Sequence, residues 1–204
     1  EFALKKKIKR ATVHIAGMGL YELFINGQRI GDQVLAPAPT DYRKTILYNT
    51  YDVTSQLQQE NAIGVTLGNG RFYTMRQNYK PYKIPTFGYP KLRLNLIVEY
   101  ADGSKETIAT NTSWKLTTEG PVRSNNEYDG EEYDARKELG NWTQTDYDDT
   151  KWMPAERVSI PSGTLRAQMM PGMKVTETLK PVSIQKMGDK YIMDTGQNLA
   201  GWVR

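Results

Sequence analysis

The sequence predicts an all-β protein: an antiparallel β-sandwich or jelly roll, followed by part of a second β-domain. Apolar and polar residues alternate over many short segments, as in strands that bury one face. Apolar residues do not recur at helical spacing over any full ten-residue window, so the only helices expected are short turns. With 204 residues, 38% of them hydrophobic, and 17 glycines, the chain can bury a core and is rich in turns.

The first strands follow from this alternation. Residues 11–17 alternate β-branched and polar side chains. Residues 21–25 and 28–30 are separated by Asn26-Gly27, a dipeptide typical of a two-residue hairpin turn. The alternation in this hairpin indicates a wall packed on a core rather than part of an active site.

Further strands are predicted over residues 46–50 and 63–67. Between them, Asp52 or Thr54 can cap a single helical turn at residues 55–59, because their side-chain oxygens accept otherwise unpaired amide protons.

The clearest strand is KLRLNLIVEY, residues 91–100, in which alternate residues are apolar. Asp102-Gly103 then turns the chain into a return strand within residues 104–110, and SWKLT, residues 113–117, continues the meander.

The composition excludes several kinds of site. Without cysteine there is no disulfide scaffold, zinc ribbon or cysteine nucleophile. The single histidine, His14, cannot form a histidine-based metal site or a catalytic triad alone, and we expect it on the polar face of a strand.

The net charge of +4 includes one basic cluster, residues 5–10. Such a cluster suits an anionic polymer, but it equally suits a solvated segment that protects a sheet edge, and we favour the second interpretation. No nucleic-acid partner is therefore expected. No apolar run is long enough to cross a bilayer, and no signal peptide is recognisable. Because the chain begins at Glu1, we expect a fragment of a longer protein.

Carboxylates cluster in residues 125–138 and 146–149. Two carboxylates at a suitable separation can hydrolyse a glycosidic bond, and Asp129 and Glu131 are the candidates. Carboxylate oxygens can also bind calcium. The third interpretation, which we favour, is structural: turns, caps and ion pairs with Arg123 or Arg136.

Aromatic residues are concentrated in residues 70–90. A long loop of this kind can stack on sugar rings or dock on another domain, whereas packing beneath the loop is the commoner fate of such side chains. The members are Phe72, Tyr73, Tyr79, Tyr82, Phe87 and Tyr89.

The pattern changes near residues 154–161, where prolines become frequent. The sequence therefore predicts a β-sandwich domain over residues 1–162. Residues 163–204 are predicted to be a linker and the first strands of a second, truncated β-domain.

Several stretches together resemble the N-terminal domain of bacterial α-L-rhamnosidases: ATVHIAGMGLYELFINGQRIGD, NAIGVTLGNGRFY and NEYDGEEYDARKE, with LKPVSI and YIMDTGQNLAGWVR resembling the start of the next β-domain. Pieces such as INGQRIGD occur more widely in sugar-binding jelly rolls of the galactose-binding-domain type. The resemblance covers nearly the whole chain in the expected order.

The resemblance implies an inverting glycoside hydrolase that removes terminal α-L-rhamnose, with its catalytic residues in a later helical barrel. This chain would then be a non-catalytic accessory module without catalytic residues of its own. Its expected partners are rhamnose-containing glycans and the catalytic domain of the same protein. The compartment stays open, and the substrate class is compatible with a secreted or periplasmic enzyme.

The same resemblance leaves a second function open, an autonomous carbohydrate-binding module assisted by calcium. No metal ligands are assigned, and no cofactor is required in the first interpretation. The sugar-binding candidates are Asn69, Arg71 and Tyr73 in LGNGRFY, together with Asp129 and Glu131. A third function, a complete small glycosidase that uses Asp129 and Glu131, predicts hydrolysis by this chain.

Overall fold

The computed structural model describes residues 1–74, 86–127 and 130–202 and confirms the all-β class. Within these residues the helical element is one 3-10 turn, Ala135–Lys137. The strands are β1 (Phe2–Ala3), β2 (Ile8–Met18), β3 (Leu20–Ile25), β4 (Gln28–Ile30), β5 (Thr45–Asp52), β6 (Glu60–Asn61), β7 (Ile63–Gly68), β8 (Lys91–Tyr100), β9 (Lys105–Ala109), β10 (Lys115–Leu116), β11 (Val122–Asn126), β12 (Gly130–Tyr133), β13 (Met153–Pro154), β14 (Thr164–Ala167), β15 (Ser183–Met187) and β16 (Lys190–Asp194).

Two sheets form the framework. One has five strands in the order β14-β5-β2-β8-β9, and the other has three in the order β4-β3-β7. Strand pairs β1-β6, β10-β13, β11-β12 and β15-β16 complete the described pairings. β14 lies parallel to β5, whereas the other described pairs are antiparallel.

The two sheets pack face to face because each has one apolar face. β8 illustrates the cause: its alternate residues Leu94, Leu96 and Val98 are fully buried, as the alternation predicts. Burial of such side chains from water is the main favourable term in folding. The buried residues of this main core are Leu4, Ala11, Val13, Ile15, Tyr21, Leu23, Ile25, Ile30, Ala36, Val53, Leu94, Leu96, Val98 and Tyr100.

The hairpin β3–β4 is a wall of this core, as predicted. Tyr21, Leu23 and Ile25 are buried. Asn26 and Gly27 have φ values of 50° and 79°, the left-handed conformation that a two-residue turn requires. The alternation and the turn dipeptide therefore predicted both the register of the hairpin and its buried face.

The predicted helical turn at residues 55–59 is wrong. A carboxylate oxygen of Asp52 accepts hydrogen bonds from the amide and hydroxyl of Thr54, at 3.0 and 2.6 Å. The Gln58 amide donates to the side chain of Asn61 at 2.8 Å. Because side chains bind these amides, the segment forms a turn instead of a helix.

The meander also ends earlier than predicted. β10, which lies within SWKLT, pairs with β13 and not with β9. The alternation cannot show which strand is the neighbour, because pairing depends on where the intervening chain returns.

The outer face of the five-stranded sheet is covered at one end by a second apolar cluster. Its buried members are Ala16, Met18, Tyr42, Ile46 and Phe72. Because this cluster covers only one end, His14 and its neighbours on the same face remain partly exposed.

The chain divides into two compact units, Glu1–Met173 and Lys174–Arg204. The first unit extends past residue 162, where the sequence pattern changes, because β14 belongs to the five-stranded sheet. In the second unit β15 and β16 form an antiparallel hairpin, while residues 174–178, which also alternate, form no strand. None of the described residues forms a helix with the length and hydrophobicity of a membrane span.

Candidate functional site

The loop Asn69–Tyr73 follows β7 and lies against the hairpin β11–β12. The Asn69 amide donates to the Asn125 side-chain oxygen at 2.8 Å, and the Asn69 side chain donates to the Asn125 carbonyl at 2.7 Å. These two hydrogen bonds connect segments far apart in the sequence. They bring one predicted sugar-binding segment onto the hairpin that carries the other.

Arg71 makes the second connection. Its Nε lies 2.8 Å from a carboxylate oxygen of Glu127, in the turn of the same hairpin. Arg71 is about half exposed, so the pair lies at the surface. The loop is therefore held on the hairpin by the Asn69 amide and by the Arg71 guanidinium. Glu127 is the counterion of Arg71.

Of the two carboxylate candidates for sugar binding, Glu131 lies within the described residues and Asp129 does not. Glu131 lies in β12 and pairs with Asn125 of β11, the residue that holds Asn69. Its side chain is exposed. Asp129 lies outside the described residues. The structure thus brings Asn69 and Arg71 onto the hairpin that carries Glu131, and sugar binding by these residues stays a prediction.

Phe72 and Tyr73 point in different directions. Phe72 is fully buried, with ring centroids 5.0 Å from Tyr42 and 5.4 Å from Phe87. The ammonium of Lys91 lies 4.7 Å from the centre of the Phe72 ring, within the range of a cation–π contact. The loop is therefore anchored in the second apolar cluster, and Phe72 is unavailable to a ligand.

Tyr73 is half-buried and lies beside Tyr89, with ring centroids 5.1 Å apart. Tyr89 is 76% exposed, so its ring stands in solvent. Packing under the loop explains Phe72 and Phe87, whereas the Tyr73–Tyr89 pair offers an aromatic surface. Tyr79 and Tyr82, also singled out by the sequence, lie outside the described residues.

Carboxylates in the two acidic segments make local bonds that stabilise their charged form. Hydrogen bonds from Arg136 hold the pKa of Asp134 below its ordinary value. The Thr150 hydroxyl lowers the pKa of Asp148 in the same way. A glycosidase needs a general acid with a raised pKa, so neither carboxylate suits that role. The structural interpretation of these two residues is the one that fits.

Metal binding has no support from the described side chains. In residues 1–74, 86–127 and 130–202, no three His, Asp or Glu side chains converge on a possible metal site. Calcium needs six to eight oxygen ligands. Around Asn69, the Asn125 oxygens accept hydrogen bonds from Asn69, and Glu127 accepts one from Arg71. Calcium binding stays a prediction.

Sequence reasoning did not find the role of Asn125. Asn125 sits in a short strand of polar residues, VRSNN, without an apolar period or a motif. One signal was available: Asn69 directly follows a strand, so its backbone amide needs a hydrogen-bond acceptor from elsewhere in the chain.

A family model described as the alpha-L-rhamnosidase N-terminal domain matches residues 6–177. Among curated proteins, an alpha-L-rhamnosidase of Formosa agariphila is 41% identical over 98% of this chain and 22% of its own length. One from Streptomyces avermitilis is 37% identical over 100% of this chain and 20% of its own length. The chain thus spans about a fifth of the length of these relatives.

Solved structures give the same result. The alpha-L-rhamnosidase from "Dictyoglumus thermophilum" superposes with a TM-score of 0.87 at 45% identity, over 97% of this chain and 21% of that one. The Streptomyces avermitilis enzyme complexed with L-rhamnose has a TM-score of 0.87 at 34% identity, over 97% and 19%. The Aspergillus terreus enzyme has a TM-score of 0.88 at 37% identity, over 98% and 23%.

Proposed function

Because this chain belongs to the family of α-L-rhamnosidase N-terminal domains, we propose that it is a non-catalytic accessory module of such an enzyme. It supports the catalytic domain of the same protein and takes part in recognising rhamnose-containing glycans. The observation that carries this proposal is coverage: nearly all of this chain matches about a fifth of each solved rhamnosidase. The hydrolysis of terminal α-L-rhamnosides by inversion belongs, in this proposal, to the rest of the protein.

The loop Asn69–Tyr73 and the hairpin β11–β12 are the surface that we assign to recognition. Tyr89 exposes an aromatic ring that can contact the methyl group and C–H bonds of rhamnose. Tyr73 supports that ring from the side. Arg71, fixed by Glu127, presents N–H donors at the same surface, and sugar hydroxyls accept such donors.

Calorimetric titration of the 204-residue chain with L-rhamnose tests recognition. We expect saturable binding that falls about tenfold in Tyr89→Ala, since aromatic contacts of this kind contribute about 0.5–1.5 kcal/mol beyond the buried area. Tyr89 is largely exposed, so the variant retains the fold. Arg71→Gln should also weaken binding, and Arg10→Gln, an exposed member of another ion pair, serves as the control.

The same titration with a calcium chelator separates the alternatives. Binding that persists with chelator supports the assigned surface without metal. Binding that is lost with chelator favours an autonomous calcium-assisted module instead. Absence of binding in the unaltered chain contradicts the recognition role and leaves the supporting role.

A further inference from the structure

A cavity of about 260 Å³ lies on the outer face of the five-stranded sheet, at the edge of the second apolar cluster, whose Ala16 helps to line it. Its volume is close to the lower end of small-molecule sites, about 300 Å³, so it suits a ligand the size of one sugar residue. The residues that line it are His14, Ala16, Tyr48, Arg93, Asn95 and Leu165.

Strand register explains why a depression forms here. Asn95 lies directly opposite His14, and Arg93 lies opposite Ala16. Directly paired side chains of an antiparallel sheet start only about 5 Å apart, so their sizes decide the local relief. Ala16 is small and supplies a low floor, with Arg93 opposite it on β8 and Tyr48 of β5 packed against the cluster to which Ala16 belongs.

Arg93 supplies the positive charge in the lining of this cavity. Within the described residues it has no carboxylate partner, and the lining of the cavity contains none. Elsewhere the described arginines commonly lie beside a carboxylate, as at Arg10, Arg29, Arg43, Arg71, Arg123 and Arg136. The cavity therefore carries a positive charge that the described structure does not neutralise.

The other polar groups add hydrogen-bonding capacity and an aromatic wall. His14 is oriented by a 2.9 Å hydrogen bond between its Nδ1 and the Thr50 hydroxyl, which leaves Nε2 without a partner in the described residues. The Tyr48 ring packs edge-on against His14 at 5.9 Å. Among the described residues, the side chain of Asn95 and the hydroxyl of Tyr48 make no hydrogen bond.

We propose that this cavity binds a sugar residue that carries a carboxylate, a hexuronate, within a larger glycan. The Arg93 guanidinium binds the carboxylate in a charge-assisted pair. The Tyr48 ring contacts the sugar's C–H face, and Asn95 and His14 bind its hydroxyls. This site goes beyond the proposed function, because it uses a different set of residues from the Asn69–Tyr73 loop and does not require rhamnose binding.

The single histidine makes the test direct. His14 gives the only imidazole signal in a proton–carbon NMR spectrum of the 204-residue chain. We expect sodium D-glucuronate, added at constant pH and ionic strength, to shift that signal saturably. Acetate has the carboxylate without the ring, and methyl glucoside has the ring without the carboxylate, so each should bind about tenfold more weakly or less.

The variant Arg93→Gln should weaken glucuronate binding about tenfold. Arg166→Gln is the matched control, since Arg166 is an exposed arginine of the same sheet that does not line the cavity. Unchanged affinity in Arg93→Gln, or equal affinity for glucuronate and either acetate or methyl glucoside, overturns the proposal. An unshifted His14 signal also overturns it, whether or not the chain binds rhamnose.

Discussion

Asn69 and Asn125 are joined by two hydrogen bonds, one to the side chain and one to the carbonyl of Asn125. This pair fixes the loop after β7 on the hairpin β11–β12. It brings Arg71 beside Glu127, and Tyr73 at the end of the same loop lies next to the exposed Tyr89 ring. The recognition surface that we propose depends on this connection, because it joins Arg71 of the loop to Glu127 of the hairpin.

Replacement of Asn125 by Ala should lower the free energy of unfolding by about 1–3 kcal/mol, since the Asn69 amide loses its acceptor. Chemical denaturation of the chain measures the change. Thr112→Ala, at an exposed position in the turn before β10, is the control for loss of a polar side chain and should change stability by less than about 0.5 kcal/mol. Equal stabilities of the two variants would show that the connection contributes nothing.

Phe72→Ala should cost about 3–5 kcal/mol, because it removes a fully buried ring from the second apolar cluster. Thermal and denaturant unfolding both report this loss. Tyr89→Ala, only a short distance along the chain but 76% exposed, should be nearly neutral. If Tyr89→Ala were the more destabilising variant, the division of the loop into an anchor and a surface would be wrong.

Gly64→Ala tests the packing of the segment after residue 140 on the three-stranded sheet. A Cβ at Gly64 would lie 2.6 Å from the Trp142 ring and 2.8 Å from Thr143, so the neighbours must move. We expect destabilisation of about 1–3 kcal/mol. Gly120→Ala, where the nearest atom is 3.7 Å away, should be neutral or slightly stabilising. Equal effects in unfolding experiments would contradict the close approach of Trp142.

Asp102 should make a pH-dependent contribution to the free energy of unfolding. Hydrogen bonds from the Ser104 hydroxyl, Lys6 and the Ser104 amide lower the pKa of Asp102 in the folded chain. A lowered folded pKa stabilises the fold fully above the ordinary value of about 3.9, and the contribution is lost as pH falls below it toward the folded pKa.

Asp102→Asn should therefore lower Tm by more at pH 7 than at pH 2.5, as measured by thermal unfolding. The variant Asp189→Asn, in the turn between β15 and β16, supplies the comparison for a simple change of net charge. A difference between wild type and Asp102→Asn that is the same at both pH values would exclude this linkage.

The strands that build the main core were predictable from the sequence, since alternation is a local property that burial on one side imposes. β8 shows this clearly: on its apolar face Leu94, Leu96, Val98 and Tyr100 are buried in the core, and Leu92 packs against the core partly buried. The turn at Asn26-Gly27 was predictable for a similar reason, because few residue pairs adopt its positive φ values.

Long-range partners were not predictable in the same way. Nothing local in LGNGRFY identifies Asn125 as the partner of Asn69. The motif also does not indicate that the Phe72 side chain is fully buried. The polar face of β8 was recognised as polar, yet the cavity at Arg93 and Asn95 requires the register with β2 and the small side chain of Ala16. These features arise from tertiary pairing and not from periodicity.

A hydrolysis assay shows whether this chain is a non-catalytic part of an α-L-rhamnosidase. The purified 204-residue chain is incubated with an aryl α-L-rhamnoside, and release of the aryl group is followed by absorbance. We expect release no faster than in buffer. Release that co-purifies with the chain and is abolished in the double variant Asp129→Asn and Glu131→Gln would contradict it, and would make the chain a glycosidase in its own right.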